Sequence, residues 1–282
     1  MRKLILVILA FIIILSGCTF ADEIETTTEY KSPYATDVNG ELVPVHDDVD
    51  ESLLDPTLFY LGENSRMKYA DTSRSTMTGI DVSVFQGDID WNAVAADGID
   101  FVILRIGYRG YGQKGIMEVD NNFYKNYDGA VSAGLKVGVY FYSQAVNPSE
   151  AREEARFVLD ALGNRALDFP IVYDWEYVDN PSARTADMTS DEITACAVNF
   201  CDEIIKASHE VMIYFNREIG YFEYNLTDIS DYDFWLAEYD DYPTFIYKFD
   251  MWQYTDSGRV NGIASPVDIN IFFPDENFTQ YG

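Results

Sequence analysis

Acidic residues interrupt apolar runs at a few defined places in this chain. Asp81 sits inside Gly79-Ile80-Asp81-Val82-Ser83. Asp174 and Glu176 close the run Pro170-Ile171-Val172-Tyr173-Asp174-Trp175-Glu176, and Asp268 sits in Val267-Asp268-Ile269-Asn270. Burying an unpaired charge is costly, so acids in such runs should face a polar cavity or a partner. Asp174 and Glu176 are spaced i, i+2. On a strand that spacing puts both on one face, roughly 7 Å apart at Cα given a rise of ~3.3 Å per residue. Two or more carboxylates in one pocket suit glycosidic bond cleavage. One protonates the leaving oxygen, and another stabilises or attacks the cationic sugar carbon. Crowded like charges keep one of them protonated near neutral pH, which the acid role requires. Any one of these acids alone reads more simply as a turn cap or salt bridge. Asp-Trp-Glu at a strand end, flanked by two further strand acids, favours the shared pocket.

The elements that must position them are β-rich runs alternating with helical segments from Gly79 onward. Strands are expected at 79–84, 100–107, 135–142, 170–174 and 211–215, with helices near 90–97, 119–133, 148–162 and 189–208. Asn147, Pro148, Glu150 and Gly163 fit the preferred ends of one helix. Thr189 and Glu192 form a capping-box pattern for another. In that second helix Ile193, Cys196, Phe200, Cys201 and Ile204 make one apolar stripe, so both cysteines read as core residues. Further strands are expected at 233–238, 249–254 and 267–273. Strand–helix alternation implies a parallel sheet with crossover helices. Eight strands with helices after the first five predict an α/β, TIM-like but irregular barrel. A doubly wound open sheet is the alternative. In a barrel, the C-terminal strand ends form the active-site face.

The chain has 282 residues, 48% hydrophobic and 15% aromatic, with 19 Lys+Arg against 48 Asp+Glu and a net charge of −29. Such a chain can bury a large core. Its acidity argues against nucleic-acid binding, which needs a basic footprint. Three Cys are too few for a disulfide scaffold, and no metal-ligand cluster is visible, so neither metal nor cofactor is expected. Arg2 and Lys3 precede an apolar run from Leu4 to Leu15, too short to span a bilayer and typical of a secretory signal. Leu15-Ser16-Gly17-Cys18 resembles the bacterial lipobox. That motif implies lipidation of Cys18, which would become the new N-terminus on the outer face of a bacterial membrane. The expected organisation is a lipoprotein signal over 1–17, a lipidated tether or arm over 18–78, and a catalytic barrel over 79–282. The tether carries 13 acids against 4 bases over 19–78. Its start is acidic and Thr-rich, as a solvated linker would be, whereas Leu53, Leu54, Leu58, Phe59 and Tyr60 could dock on the barrel.

From about Gly79 to Phe273 the chain resembles glycoside hydrolase family 25, the Chalaropsis-type lysozymes. The resemblance is carried by Gly79-Ile80-Asp81-Val82-Ser83 with Gln86-Gly87 and Ile89-Asp90-Trp91; Phe101-Val102-Ile103-Leu104-Arg105 with Gly107; Gly138-Val139-Tyr140; Asp174-Trp175-Glu176; Trp235-Leu236-Ala237-Glu238-Tyr239; Trp252-Gln253-Tyr254; and Val267-Asp268-Ile269-Asn270. It implies a muramidase cutting the β-1,4 bond between N-acetylmuramic acid and N-acetylglucosamine in peptidoglycan, on a barrel of five βα units followed by strands. By motif position Glu176 is the implied general acid and Asp174 its partner, with Asp81 and Asp268 lining the same pocket. A covalent enzyme ester and an intermediate formed by the substrate's own acetamido group both remain open, with the second preferred. One departure is Tyr140-Phe141-Tyr142-Ser143, where many members carry a His after the first Tyr.

Aromatics near strand ends have two readings, sugar stacking and barrel packing. Tyr140, Tyr142, Tyr214, Trp235 and Tyr239, with Gln253, are the expected substrate-binding set. Gly107-Tyr108-Arg109-Gly110-Tyr111-Gly112 reads as a flexible rim loop, because its spacing does not fit a phosphate loop. The expected partners are peptidoglycan strands and, through the lipid, a membrane; the chain is expected to be a monomer outside the cytoplasm. Competing functions are a non-catalytic wall-binding lipoprotein and a glycosidase on another amino-sugar polymer.

Overall fold

The computed structural model describes residues 34–37 and 40–274. Cys18 and the signal and linker expected around it lie outside these residues. Nine strands of one sheet carry the site: β5 (Met77–Val82), β6 (Phe101–Arg109), β7 (Met117–Val119), β8 (Lys136–Ser143), β9 (Ile171–Trp175), β10 (Val211–Asn216), β11 (Asp233–Ala237), β12 (Met251–Gly258) and β13 (Val267–Phe272). Eight of them close in the order β5-β6-β8-β9-β10-β11-β12-β13 and back to β5, with β7 an antiparallel flap on β6. Pairing is parallel from β5 to β12, while β13 runs antiparallel to both of its neighbours. This is the expected irregular α/β barrel, and the open-sheet alternative falls.

Helices α1 (Trp91–Ala96), α2 (Phe123–Ser132), α3 (Pro148–Leu162) and α4 (Ser190–Lys206) follow the first four parallel barrel strands. Two short ones, α5 (Arg217–Phe222) and α6 (Leu226–Ile229), follow β10. The Asn147 side chain accepts from the amides of Ser149 and Glu150, and Thr189 and Glu192 close a reciprocal capping box, as their sequences predict. Cys196 and Cys201 are free and fully buried in the stripe that α4 turns to the barrel.

Strand periodicity decides what the barrel encloses. Along β6, Val102, Leu104 and Ile106 belong to the outer core between sheet and helices, whereas Phe101 and Ile103 belong to a separate inner core. Inward positions near the strand starts are apolar: Phe101, Met212, Met251 and, on reversed β13, Phe272. Phe169, just ahead of β9, stacks on Phe101 with ring centroids 4.4 Å apart. Gly79 belongs in this floor, because a Cβ there would sit 2.2 Å from the Phe101 ring. On the same faces, two residues beyond Gly79, Ile103, Val172, Met212 and Met251 come Asp81, Arg105, Asp174, Tyr214 and Gln253. The barrel is thus a hydrophobic plug with a polar ceiling, and period-two alternation alone carries each polar residue there.

Two expectations need correction. The expected rim loop is strand through Arg109, since β6 continues into a hairpin with β7 and the loop begins at Gly110. The reason is electrostatic. Arg109 is 4% exposed, and its Nε donates to Glu154 Oε1 at 2.7 Å while Nη2 reaches Glu153 at 2.9 Å. The helix expected over 119–133 starts only at Phe123, because the hairpin and an Asp120 turn occupy the preceding residues. Replacing Arg109 with Met strands a buried carboxylate and should cost about 3–5 kcal/mol. Burial pushes Glu154 up to about 7 against the hydrogen bonds that favour its charged form. The loss read by urea unfolding should therefore shrink at pH 5, where the stranded Glu154 is protonated. Equal losses at pH 5 and 8 would contradict this reading.

Among the described residues the arm is docked on the barrel: of the expected cluster, Leu54, Leu58 and Phe59 pack against the core, whereas Leu53 and Tyr60 stay exposed. Its strands are β1 (Tyr34–Thr36), β2 (Leu42–Pro44), β3 (Phe59–Leu61) and β4 (Met67–Tyr69), paired as two antiparallel hairpins. Val43, Val49, Met67 and Tyr69 join the outer core. The Tyr247 hydroxyl accepts from the His46 amide at 2.6 Å, and Phe59 packs edge-on against Trp252.

Candidate active site

Register brings the four acids together. Asp268 on β13 lies directly opposite Asp81 on β5. Asp174 on β9 lies between Tyr142 on β8 and Tyr214 on β10, and Tyr214 is paired in turn with Trp235 on β11. Asp81, Asp174, Glu176 and Asp268 line a cavity of about 190 Å³ with Tyr140, Tyr214, Trp235, Tyr239 and Gln253. An adjoining recess of about 900 Å³ shares Tyr140, Asp174, Glu176 and Asp268 and adds Tyr142. Every barrel residue expected at the site therefore lines one or both of these cavities.

The Asp81 carboxylate is held firmly. Its Oδ2 accepts from Gln253 Nε2 and from Asn270 Nδ2, each at 2.9 Å. Asn270 is oriented by Trp235, whose indole Nε1 donates to its Oδ1 at 2.8 Å. Gln253 is oriented by the hydroxyls of Tyr239 at 2.8 Å and Tyr214 at 3.3 Å, both donating to Oε1. Trp235, Tyr214 and Tyr239 thus set the two amides that donate to one carboxylate oxygen.

Opposed carboxylates on neighbouring strands cannot both ionise freely. Burial pushes Asp81 up to about 6 despite its amide partners. Burial, and then the Asp81 charge, push Asp268 up to about 8, so Asp268 holds the proton this pair shares. Asp174 is fully buried, and it is raised by burial first and by the charges of Glu176 and Asp81 next. Its Oδ1 has no hydrogen-bond partner. Glu176 is half-buried at the mouth and is raised by burial and then by the Asp81 charge. Two carboxyl pairs each able to keep a proton, facing one small cavity, can deliver a proton to a leaving group and stabilise positive charge beside it.

Two residues at the site escape a search for acids. Arg105 lines the larger recess, where it is paired with Asp120 at 2.7 Å and lies over the Phe85 ring at 5.0 Å. It holds the carboxyl of Asp174 down, against the stronger upward causes. A base inside the apolar run FVILRIG is the same kind of signal as the strand acids and could have found it. Asn270 was detectable as the same-face neighbour of Asp268, two residues on. Below the mouth, buried Gln144 donates to the backbone carbonyl of Glu176 at 3.4 Å and accepts from Thr185 Oγ1 at 2.9 Å.

A family model described as glycosyl hydrolases family 25 matches residues 80–263. The autolytic lysozyme of Clostridium acetobutylicum is 30% identical over 198 residues, which cover 70% of this chain and 56% of that protein. Lysozyme M1 of Streptomyces globisporus is 29% identical over 221 residues, 72% of this chain and 69% of the relative. Among solved structures, the modular autolysin LytC of Streptococcus pneumoniae, in complex with a synthetic peptidoglycan ligand, superposes with a TM-score of 0.63 at 26% identity. That match covers 85% of this chain and 56% of that one. A family 25 glycosyl hydrolase of Bacillus anthracis, 20% identical and covered over 96% of its length, shares the fold with a TM-score of 0.60. The chain thus spans little more than half the length of two of these relatives. The matched segment runs from the strand that carries Asp81 past the one that carries Gln253, and on this ground the chain belongs to glycosyl hydrolases family 25.

Proposed function

We propose that the protein is a muramidase that cuts the β-1,4 bond between N-acetylmuramic acid and N-acetylglucosamine in peptidoglycan. The observation that carries the reading is the convergence of Asp81, Asp174, Glu176 and Asp268 on one cavity. Glu176, at the mouth and raised by burial and the Asp81 charge, serves as the general acid. Asp174, deeper and raised by burial and the neighbouring charges, orients the substrate's acetamido group as that group attacks the anomeric carbon. Asp81, fixed by Gln253 and Asn270, supplies the negative charge that holds the Glu176 proton until transfer and then faces the developing oxocarbenium ion. Asp268 holds the shared proton, so the Asp81–Asp268 pair carries one negative charge, on Asp81. Tyr140, Tyr142 and Tyr239 offer rings to the sugars at the opening, while the buried Tyr214 and Trp235 close the cavity beneath and hold the amides in place. No step in this scheme calls for a metal or organic cofactor.

Digestion of purified peptidoglycan, followed by mass analysis of the new reducing ends, tests the reaction. Muramic acid ends support it, and glucosamine ends would place the cut at the other bond. Intact carboxylates favour this reading over a non-catalytic wall binder, which has no use for four acids in one pocket. We further propose that a lipid on Cys18 anchors the enzyme outside the cytoplasm. Cys18→Ser should move the protein from the membrane to the soluble fraction, and continued membrane fractionation would rule the anchor out.

A further inference from the structure

Three cavities follow one another across the face of the barrel where the acids lie. The 900 Å³ recess shares four residues with the acid cavity. The acid cavity shares Tyr239 with a third space of about 610 Å³. The first and third share none, so the acids sit between them. One wall of the third space is barrel: Asp240 and Asp241 after β11, and Thr255–Arg259 at the end of β12. The other wall is the β3–β4 hairpin of the arm, through Leu61, Asn64 and Ser65. That hairpin precedes residue 80, where the family match begins.

The hairpin is held rigidly against the barrel. Arg66 is 4% exposed and pairs with Asp97 at 2.6 Å, and Asp97 also accepts from Asn261 Nδ2 at 2.7 Å. The Met67 amide donates to the Tyr254 hydroxyl at 3.2 Å. Leu61 nevertheless stays 56% exposed beside this space, and Tyr239 54%. An apolar side chain and a tyrosine ring flanking one groove, with the polar side chains of Asn64, Ser65 and Asp240 at its rim, suit a pyranose ring. Sugars present C–H faces to the first kind of group and hydroxyls and amides to the second.

We propose that the arm hairpin builds an additional glycan subsite, which takes the sugar units of a strand that extend past the acid cavity on the Tyr239 side. The inference rests on the muramidase reading for its ligand. Because the wall is already fixed, engaging it requires little ordering on binding.

The test uses full-length protein and peptide-free glycan strands fractionated by length. Binding is measured in the Glu176→Gln background, with and without Leu61→Asn, and Leu61→Phe serves as the apolar replacement. Affinity should increase with strand length beyond the shortest binding oligomer. Leu61→Asn should weaken long strands about tenfold, equivalent to ~1.4 kcal/mol, while shifting the shortest oligomer less than twofold. Leu61→Phe should retain the length increment. Thermal unfolding of each variant shows whether the fold is kept. Length-independent affinity, or equal weakening of short and long strands in a folded variant, overturns the subsite. Turnover by the otherwise wild-type chain is scored separately. Release of muramic acid ends without a length effect leaves the muramidase reading intact and removes only the subsite.

Discussion

Replacing Glu176 with Gln is expected to lower glycan cleavage by about 10²–10⁴-fold, the usual contribution of a positioned general acid, with strand binding and fold retained. The amide keeps the size and hydrogen-bonding capacity of the side chain but has no proton to give. Glu176 follows β9 directly, and its carbonyl is held by Gln144, so the backbone should stay in place. The measurement is the rate of reducing-end release, with bound strands quantified in parallel. A variant that cleaves as fast as the parent removes Glu176 from the acid role. A parent that binds but releases nothing would return the protein to the class of wall binders.

Asp81→Asn is expected to cost about tenfold or more at neutral pH and to move the basic limb of the pH profile toward acid. The sign follows from the role of the proton. As the proposed general acid, Glu176 works while protonated, so activity should fall as pH rises through its pKa. Burial raises that pKa first, and the Asp81 charge raises it further. Removing the charge lowers the pKa, so the limb moves toward acid. Asn at 81 can still accept from Gln253 and Asn270, so the change is mainly electrostatic. Full kcat–pH profiles of parent and variant decide the matter. A slower variant with an unmoved basic limb would leave Asp81 a role in stabilising charge but none in holding the Glu176 proton.

Much of the barrel was legible because its strands are buried on both faces and its acids break otherwise apolar runs. All eight barrel strands fall within three residues of their expected starts, and α3 has its expected bounds because Asn147, Pro148 and Gly163 mark both ends in sequence. The four acids of the cavity were legible for the same reason, since a carboxylate in a strand interior needs a cavity. What escaped depends on partners far along the chain. Arg109 reads as loop until Glu154, 45 residues later, gives its guanidinium a buried partner. Val43, Val49 and Met67 are scattered through an acidic segment, and only contact with the barrel makes core of them. Asn270 looked like an ordinary strand residue until Trp235 and Asp81 gave it a donor and an acceptor to bridge.

The free thiols of α4 bear on how the protein can be handled. Cys196 and Cys201 are wholly enclosed, and burial drives the Cys196 thiol up to about 12 and the Cys201 thiol higher still. Thiolate is the form that reacts with oxidants and disulfides, and these two sulfurs hold almost none of it at any physiological pH. The barrel should therefore be indifferent to the redox poise of its surroundings. Once folded, in a reducing cytosol or an oxidising envelope, it should keep both thiols unmodified.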